Sequence, residues 1–331
     1  MKYRNLGKSN LKVSALCLGT MMFGDQTDID EAKAIVEDAH GSGVNYIDTA
    51  DVYSKGVSEI MVGELIKAKR HDWVLATKLG NKMSDRVNES QFSRTWMMRE
   101  IDASLKRLQT DYADILYMHL DSNSMNLEEP LRALQAMLQA GKIRYWGVSN
   151  FRGWRIAEAV SIASQLGMPA PVVCQPYYNL LNRMPEVEVL PACAHFGIGV
   201  TPYSPIARGV LTGKYAPGQK PEAGTRAGRG DKRINDTEFR EESLVIAQKL
   251  QTHVANKGVS LAHFATAWVL ANPRISSVIA GPRTLKQWQD YAPALDYVVT
   301  VEDEALVDSL VRPGHPSTPG YTDPAYPLNG R

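Results

Sequence analysis

The chain has no apolar run approaching the roughly 18 residues that a membrane-spanning helix needs. Its first residues, MKYRNLGKSN, are polar and lack the apolar stretch of a secretory signal. A cytoplasmic protein without a membrane partner is therefore expected. An excess of one charge sign is missing too. Thirty-seven Lys and Arg against 36 Asp and Glu leave a formal net charge of +1, so there is neither a basic field to hold nucleic acid nor an acidic tail. Cysteine is scarce. Cys17, Cys174 and Cys193 are odd in number, far apart and set among apolar neighbours, which excludes a disulfide framework and points to buried thiols. The seven histidines form no His-x-x-x-His pair and there is no Cys-x-x-Cys, so no metal site is expected. Gly-x-Ser-x-Gly is also absent, which removes the nucleophile elbow of a serine hydrolase.

What is present is a soluble composition, 331 residues with 44% hydrophobic and 22% charged, and a repeated alternation. Short β-branched runs appear at VSALCLGT, VNYIDTA, WVLATKLG, ADILYMHLD, IRYWGVSN, PVVCQPYYN, IGVTPYSP and SSVIAGPR. Between them lie helical patterns such as DIDEAKAIVEDAHGSG and SRTWMMREIDASLKRLQTD, with acidic or hydroxyl residues at their starts. The Trp96-Met97-Met98 cluster on the second pattern reads as core. Eight strands alternating with helices fit a closed (β/α)8 barrel or a doubly wound open sheet. The first strand-to-helix turn, CLGTMMFGDQTD, lacks the G-x-G-x-x-G of a dinucleotide-binding open sheet, which favours the barrel. Residues 1–331 are expected to form a single domain. Residues 1–12 read as an amino-terminal hairpin cap turning at Gly7-Lys8-Ser9-Asn10, and 312–331 as a Pro/Gly-rich tail. A second long loop, KYAPGQKPEAGTRAGRGDKRINDTEF, follows the seventh strand. The composition of both segments permits disorder; their position permits walls or lids over a site. The basic GRGDKR within the loop is either a solvated stretch or part of a clamp.

Barrel sites are built at the carboxyl ends of the strands, and those ends are polar. In order they read Gly19-Thr20, Asp48 with Tyr53 just beyond, Lys78, His119, Ser149-Asn150, Gln175, Tyr203-Ser204 and Gly281 to Arg283. A lone strand-end lysine or histidine is usually structural. Ionisable groups at one strand end after another point to a shared site, because burying each unpaired costs several kcal/mol, on the order of a domain's whole stability. A tyrosine hydroxyl with an ordinary pKa near 10 exchanges protons poorly at neutral pH, and a lysine cation beside it is expected to bring that value down. Asp48 would orient Lys78. His119 would hydrogen-bond a carbonyl oxygen presented to Tyr53. Such a group protonates a carbonyl and needs a hydride donor beside it.

The chain resembles the aldo-keto reductase family over essentially its whole length. The resemblance rests on NLGKSNLKVSALCLGTMMFG, DTADVYSKGVSE, SLKRLQTDYADILYMH, GKIRYWGVSNF, QPYYNLL, YSPIARGVLTGKY and IAGPRTLKQ. It implies NADPH-dependent reduction of an aldehyde or ketone, reversible as alcohol oxidation with NADP+, with Asp48, Tyr53, Lys78 and His119 as catalytic residues and Tyr53 as proton donor. It implies that Ser149, Asn150 and Gln175 hold the nicotinamide amide and that Tyr203 stacks on its ring. Ser204, Gly209 and Leu211 would cover the pyrophosphate, with Lys214 in reach of a phosphate, and Arg283 would grip the adenosine 2′-phosphate. Gly19, Thr20, Ile206, Gly281, Gln287 and Tyr291 complete the expected cofactor set. At Tyr291 the family commonly has asparagine, so stacking of the tyrosine is the alternative there. The same segments resemble the β subunits of potassium channels, which keep a nicotinamide site and regulate a partner. The substrate walls, MMFGDQTD, LDSNSMNLEE, the insertion after Tyr215 and the tail, carry no residue code that selects among sugar aldehydes, aromatic or pyridine aldehydes and cyclic ketones. An oligomer is compatible with this composition.

Overall fold

The computed structural model describes residues 1–122 and 125–327. Two short strands, β1 (Tyr3–Asn5) and β2 (Lys12–Ser14), pair antiparallel as the expected hairpin. Eight further strands follow: β3 (Leu16–Gly19), β4 (Tyr46–Asp48), β5 (Val74–Leu79), β6 (Ala113–Met118), β7 (Ile143–Ser149), β8 (Val173–Gln175), β9 (Gly199–Val200) and β10 (Val278–Ala280). From β3 to β9 each pairs in parallel with the next along the chain, and β10 returns to lie beside β3. The remaining seam is joined where Ile279 N–H donates to the Pro202 carbonyl at 3.0 Å and Ser276 N–H to that of Val200 at 2.8 Å. The chain is thus a (β/α)8 barrel, and all eight expected runs contain a strand. The first run divides differently from the expectation, because Val13 and Ser14 belong to the hairpin, which reaches past residue 12.

Helices α1 (Ile29–Gly41), α2 (Val57–Ile66), α3 (Arg94–Arg107), α4 (Glu128–Gln139), α5 (Gly153–Gln165) and α6 (Val189–Phe196) fill the connections up to β9. In α1, Asp28 caps the start by accepting from Glu31 N–H, and Ala32, Ile35, Val36 and Ala39 form the buried stripe. In α3, Ser93 caps and Trp96 and Met97 are buried, as expected of core. After β9 come α7 (Lys232–Thr237), α8 (Glu241–Ala255) and α9 (Leu261–Ala271), and after β10 come α10 (Leu285–Gln289) and α11 (Val301–Leu310). Helix α7 corrects the reading of 214–239 as loop throughout. Asp231 caps it by accepting from Ile234 N–H at 3.0 Å, and Ile234 is buried; one buried apolar residue among Gly, Arg and Lys is too weak a pattern to read.

The two-residue period of each strand divides its side chains between two cores. Leu16, Leu18, Ile47, Leu75, Leu116 and Val148 face outward into the helical layer. Cys17, Tyr46, Ala76, Ile115, Tyr117, Val173 and Ile279 fill the barrel interior, where Leu6 and Val13 of the hairpin join them. The hairpin is therefore a plug. Its turn depends on Gly7, at φ +61°, where an added Cβ would lie 2.4 Å from the Gly197 carbonyl oxygen and 2.5 Å from Gly199 N. The hairpin fills the lower end with Leu6 and Val13, and the polar cavity lies at the other end. Among the described residues no helix is long and apolar enough to cross a membrane, and the three cysteines are free and buried. Residues 328–331 of the expected tail, and 123–124 of LDSNSMNLEE, lie outside the described residues.

Candidate active site

The alternation that fills the barrel interior also brings Gly19, Asp48, Lys78, His119, Ser149, Gln175 and Gly281 to successive strand ends around one opening. Tyr53 reaches it from the turn after β4. There the backbone runs through left-handed conformations at Ser54, Lys55 and Gly56 (φ 48°, 54° and 91°) before entering α2. Short hydroxyl bonds fix this turn. The Ser58 hydroxyl is hydrogen-bonded to those of Thr20 and Thr49, each at 2.9 Å, and Ser54 donates to the Phe23 carbonyl at 3.0 Å.

Lys78 Nζ donates to Asp48 Oδ1 at 2.5 Å, to the Thr49 carbonyl at 2.7 Å and to the Tyr53 hydroxyl at 3.1 Å. Its side chain is 0% exposed and that of Asp48 3%. The second Asp48 oxygen accepts from Gln175 Nε2 at 2.9 Å. The Tyr53 and His119 rings meet edge to face, 5.9 Å apart. Desolvation lowers the Lys78 pKa, but Asp48 and Tyr53 more than offset it, so the ammonium is held charged. Burial raises Asp48 despite Lys78. His119 is pushed well below its ordinary value by burial and then by Lys78, so its imidazole is neutral, and its Nδ1 has no hydrogen-bond partner among the described residues. The expectation that Lys78 brings Tyr53 below its ordinary value is corrected. Desolvation outweighs the cation, and the phenol lies above 10.

Asp48, Tyr53 and His119 open onto a cavity of about 420 Å³. Gly19, Thr20, Ser149, Asn150, Gln175, Tyr203, Ser204, Ile206, Gly209, Lys214, Gly281, Arg283, Gln287 and Tyr291 of the expected set line it as well. Asn150, at φ +61°, donates to the His119 carbonyl at 3.0 Å and accepts from the Tyr203 hydroxyl at 2.8 Å. Arg283 N–H donates to Gln287 Oε1 at 2.9 Å, turning the segment after β10 into the wall. Two expected residues do not line the cavity. Lys78 lies behind Asp48 and Tyr53. Leu211 is fully buried in the helical core, with its N–H given to the Ile206 carbonyl. The resemblance had placed Leu211 over the pyrophosphate; its side chain instead packs into the core with Val210.

The sequence reading allowed GRGDKR a place in a clamp but did not find its partner, Gln26, at one end of the cavity. Gln26 Oε1 accepts from Arg229 at 2.7 Å and from Arg283 at 3.2 Å, so the GRGDKR loop is tied across to the β3–α1 loop. Burial lowers the Lys214 pKa, and the cations of Arg283, Arg229 and Arg226 lower it further. Of these four, only Arg226 has a carboxylate partner among the described residues, Asp231 at 3.0 Å. Also missed was the buried support under Tyr53, where Glu59 accepts from Thr77 at 2.5 Å and from Arg107 at 2.7 Å.

With a parallel barrel whose strand ends bring an Asp-Lys-Tyr-His cluster to one cavity, comparison with known proteins becomes decisive. The model of the aldo/keto reductase family matches residues 15–312. The chain belongs to the aldo/keto reductase family. It is 38% identical to a probable voltage-gated potassium channel subunit beta of Arabidopsis thaliana, over 90% of this chain and 92% of that one. It is 36% identical to a protein of the same description from Oryza sativa, over 97% and 100%. An uncharacterized oxidoreductase of Bacillus subtilis, YrpG, is 34% identical over 98% and 99%. For an aldo/keto reductase of this kind, oxidoreductase chemistry of the nicotinamide-dependent, carbonyl-reducing type is supported in general terms.

Replacing Lys78 by Met leaves a buried carboxylate without its cation, a change typically costing about 3–5 kcal/mol. The cost carries a pH signature. Without Lys78 the Asp48 pKa, already above 3.8, rises further. The folded variant then retains a proton that the unfolded chain has released, so its stability falls as pH climbs from the ordinary carboxylate value through the raised one. Thermal midpoints are expected to differ from wild type more at about pH 8 than at about pH 5, with Asp48→Asn restoring most of the loss. A deficit independent of pH would contradict the pairing.

Proposed function

We propose that this protein is an NADPH-dependent carbonyl reductase, a cytoplasmic enzyme working as one barrel domain, in which Tyr53 gives the proton that completes reduction of an aldehyde or ketone to an alcohol. The observation that carries the reading is the buried Lys78, bonded to both Asp48 and the Tyr53 hydroxyl, which line a cavity. The cavity also fits the cofactor. Gly209, Gly281 and the left-handed Ser204 bring bare backbone to its wall, and Lys214, Arg229 and Arg283 offer cations that no carboxylate neutralises among the described residues. When bound, NADPH supplies a hydride to the carbonyl carbon. Ser149, Asn150, Gln175 and Tyr203 would hold its nicotinamide end, and Arg283 with Lys214 and Arg229 its 2′-phosphate.

The protein's own groups then divide the work. Neutral His119 donates an N–H to the carbonyl oxygen and aligns it with Tyr53. The raised pKa of Tyr53 keeps the phenol protonated at neutral pH, so a proton is available to give. As that proton leaves, the phenolate forms against the Lys78 ammonium, which Asp48 keeps charged and oriented. Alcohol oxidation retraces these steps, with the phenolate taking the proton back. A second reading, a nicotinamide-binding regulator of a membrane channel, is supported by the similarity to the two plant proteins named as probable potassium channel β subunits.

Tyr53→Phe deletes the proton donor alone. Turnover of a carbonyl panel followed by NADPH absorbance is expected to drop about 10²–10⁴-fold, with NADPH affinity nearly retained; near-normal turnover would remove Tyr53 from the role. Wild-type protein that binds NADPH and turns over no carbonyl would favour the regulatory reading.

Arg283→Leu is expected to weaken NADPH by about tenfold or more, since a charge-assisted hydrogen bond contributes about 1.5–3 kcal/mol, and to leave NADH nearly unaffected. Fluorescence titration reads both. Equal losses would move the 2′-phosphate away from Arg283.

A further inference from the structure

The tail beyond α11 folds back across the barrel mouth through a series of defined contacts. Ser317 N–H donates to the Leu181 carbonyl at 2.8 Å. The Arg240 guanidinium lies 3.6 Å from the centre of the Tyr321 ring, whose hydroxyl donates to the Asp236 carbonyl at 3.1 Å. Next, Asp323 receives a two-pronged contact from Arg233 of α7, at 2.8 and 2.7 Å. The Asp323 carbonyl and side chain also close the following turn, accepting from Tyr326 N–H and Ala325 N–H at 2.9 Å each. Finally Arg152, two residues past Asn150, donates to the Tyr326 carbonyl at 2.9 Å. The result is that Tyr326 lines the same cavity as Tyr53 and His119, together with Met21 and Met22.

The charges around the cavity select what this wall can face. Arg208 is paired with Glu238, Arg226 with Asp231 and Arg233 with Asp323. The cations without carboxylate partners, Lys214, Arg229 and Arg283, interact with one another beside Gln26 and are taken up by the proposed cofactor contacts. Among the residues that line the cavity, no further cation without a carboxylate partner is left at the carbonyl end for an anionic substrate. A neutral substrate meets an aromatic ring and two thioethers, which adapt to and favour flat apolar groups.

We propose that Tyr326 is the specificity-determining wall for the carbonyl substrate, that the Arg233–Asp323 pair and Arg152 position it, and that it selects neutral aldehydes bearing an aromatic ring. The proposal rests on the carbonyl-reductase reading and deepens it. Arg233 gives it a further feature, because α7 follows directly on the basic loop of Arg226 and Arg229. One short helix thus holds both the tail and the end of the cofactor clasp.

The test compares benzaldehyde with propanal, with NADPH saturating. Wild type is expected to favour benzaldehyde. Tyr326→Ala is expected to lower kcat/KM for benzaldehyde about tenfold, mainly through KM, and to lower it much less for propanal, whereas Tyr326→Phe retains the preference. Asp323→Asn should give the same selective loss, and the reversed pair Arg233→Asp with Asp323→Arg should recover it, a pattern that general destabilisation does not produce. Equal losses on both aldehydes, or no loss, would overturn the proposal. If wild type reduces neither aldehyde, the carbonyl-reductase reading fails instead. The wall is then read by calorimetric binding of benzamide against acetamide to the wild type and Tyr326→Ala proteins: a benzamide affinity unchanged by the substitution overturns it, and a selective weakening of about tenfold supports it.

Discussion

One buried ion pair organises this protein. Lys78 and Asp48 sit on neighbouring strands with almost no solvent access, and taking both charges out of water costs several kcal/mol per ion unless each is compensated. The compensation is near complete. Lys78 directs three donors at Asp48, Thr49 and Tyr53, while Asp48 also accepts from Gln175. In that arrangement a phenol, a carboxylate and an amide are held at fixed positions by the demand that no buried charge be left unpaired. Geometry useful for proton transfer follows from the requirement for electrostatic satisfaction.

The rest of the barrel can be understood as what makes such a pair tolerable. Apolar side chains and the hairpin plug fill the lower interior, ending at the bonded Tyr46 and Tyr117 hydroxyls, 2.7 Å apart. The cavity beside the charged layer lies at the strand carboxyl ends, where loops contribute to its lining. The loop after β9 brings Arg229 to Gln26, which also holds Arg283, and the tail brings Tyr326 into the cavity that Tyr53 and His119 line. Strands thus supply rigid positions for the charged groups, and loops supply the walls.

Much of this was legible in the sequence for a simple reason. In a parallel barrel the inward end residue of each strand is set by the strand's own two-residue period, so Asp48, Lys78, His119, Ser149 and Gln175 could be placed from local pattern alone. Tyr53 was legible because a polar aromatic follows a strand end where the chain leaves the core. Relations between distant segments were not. The Arg233–Asp323 contact spans 90 residues, and the Gln26–Arg229 contact 203; neither leaves a local periodicity. The burial of the Leu211 side chain was not legible either, because the resemblance that put it at the cofactor does not say which way the side chain faces. The Tyr53 pKa was misjudged because the lysine is visible in the sequence and the depth of burial is not.

The central claim is that one hydroxyl, held against Lys78, gives a proton in reduction and takes it back in oxidation. The most direct measurement is a pair of kcat/KM profiles against pH, one for carbonyl reduction with NADPH and one for alcohol oxidation with NADP+, each with solvent isotope effects. Reduction is expected to hold toward lower pH and decline as Tyr53 ionises, while oxidation rises over the same interval. Because the lysine opposes the rise that burial imposes on Tyr53, Lys78→Met should move the oxidative limb to higher pH. Profiles that run parallel in the two directions, or an oxidative limb unmoved by loss of the lysine, would contradict the claim.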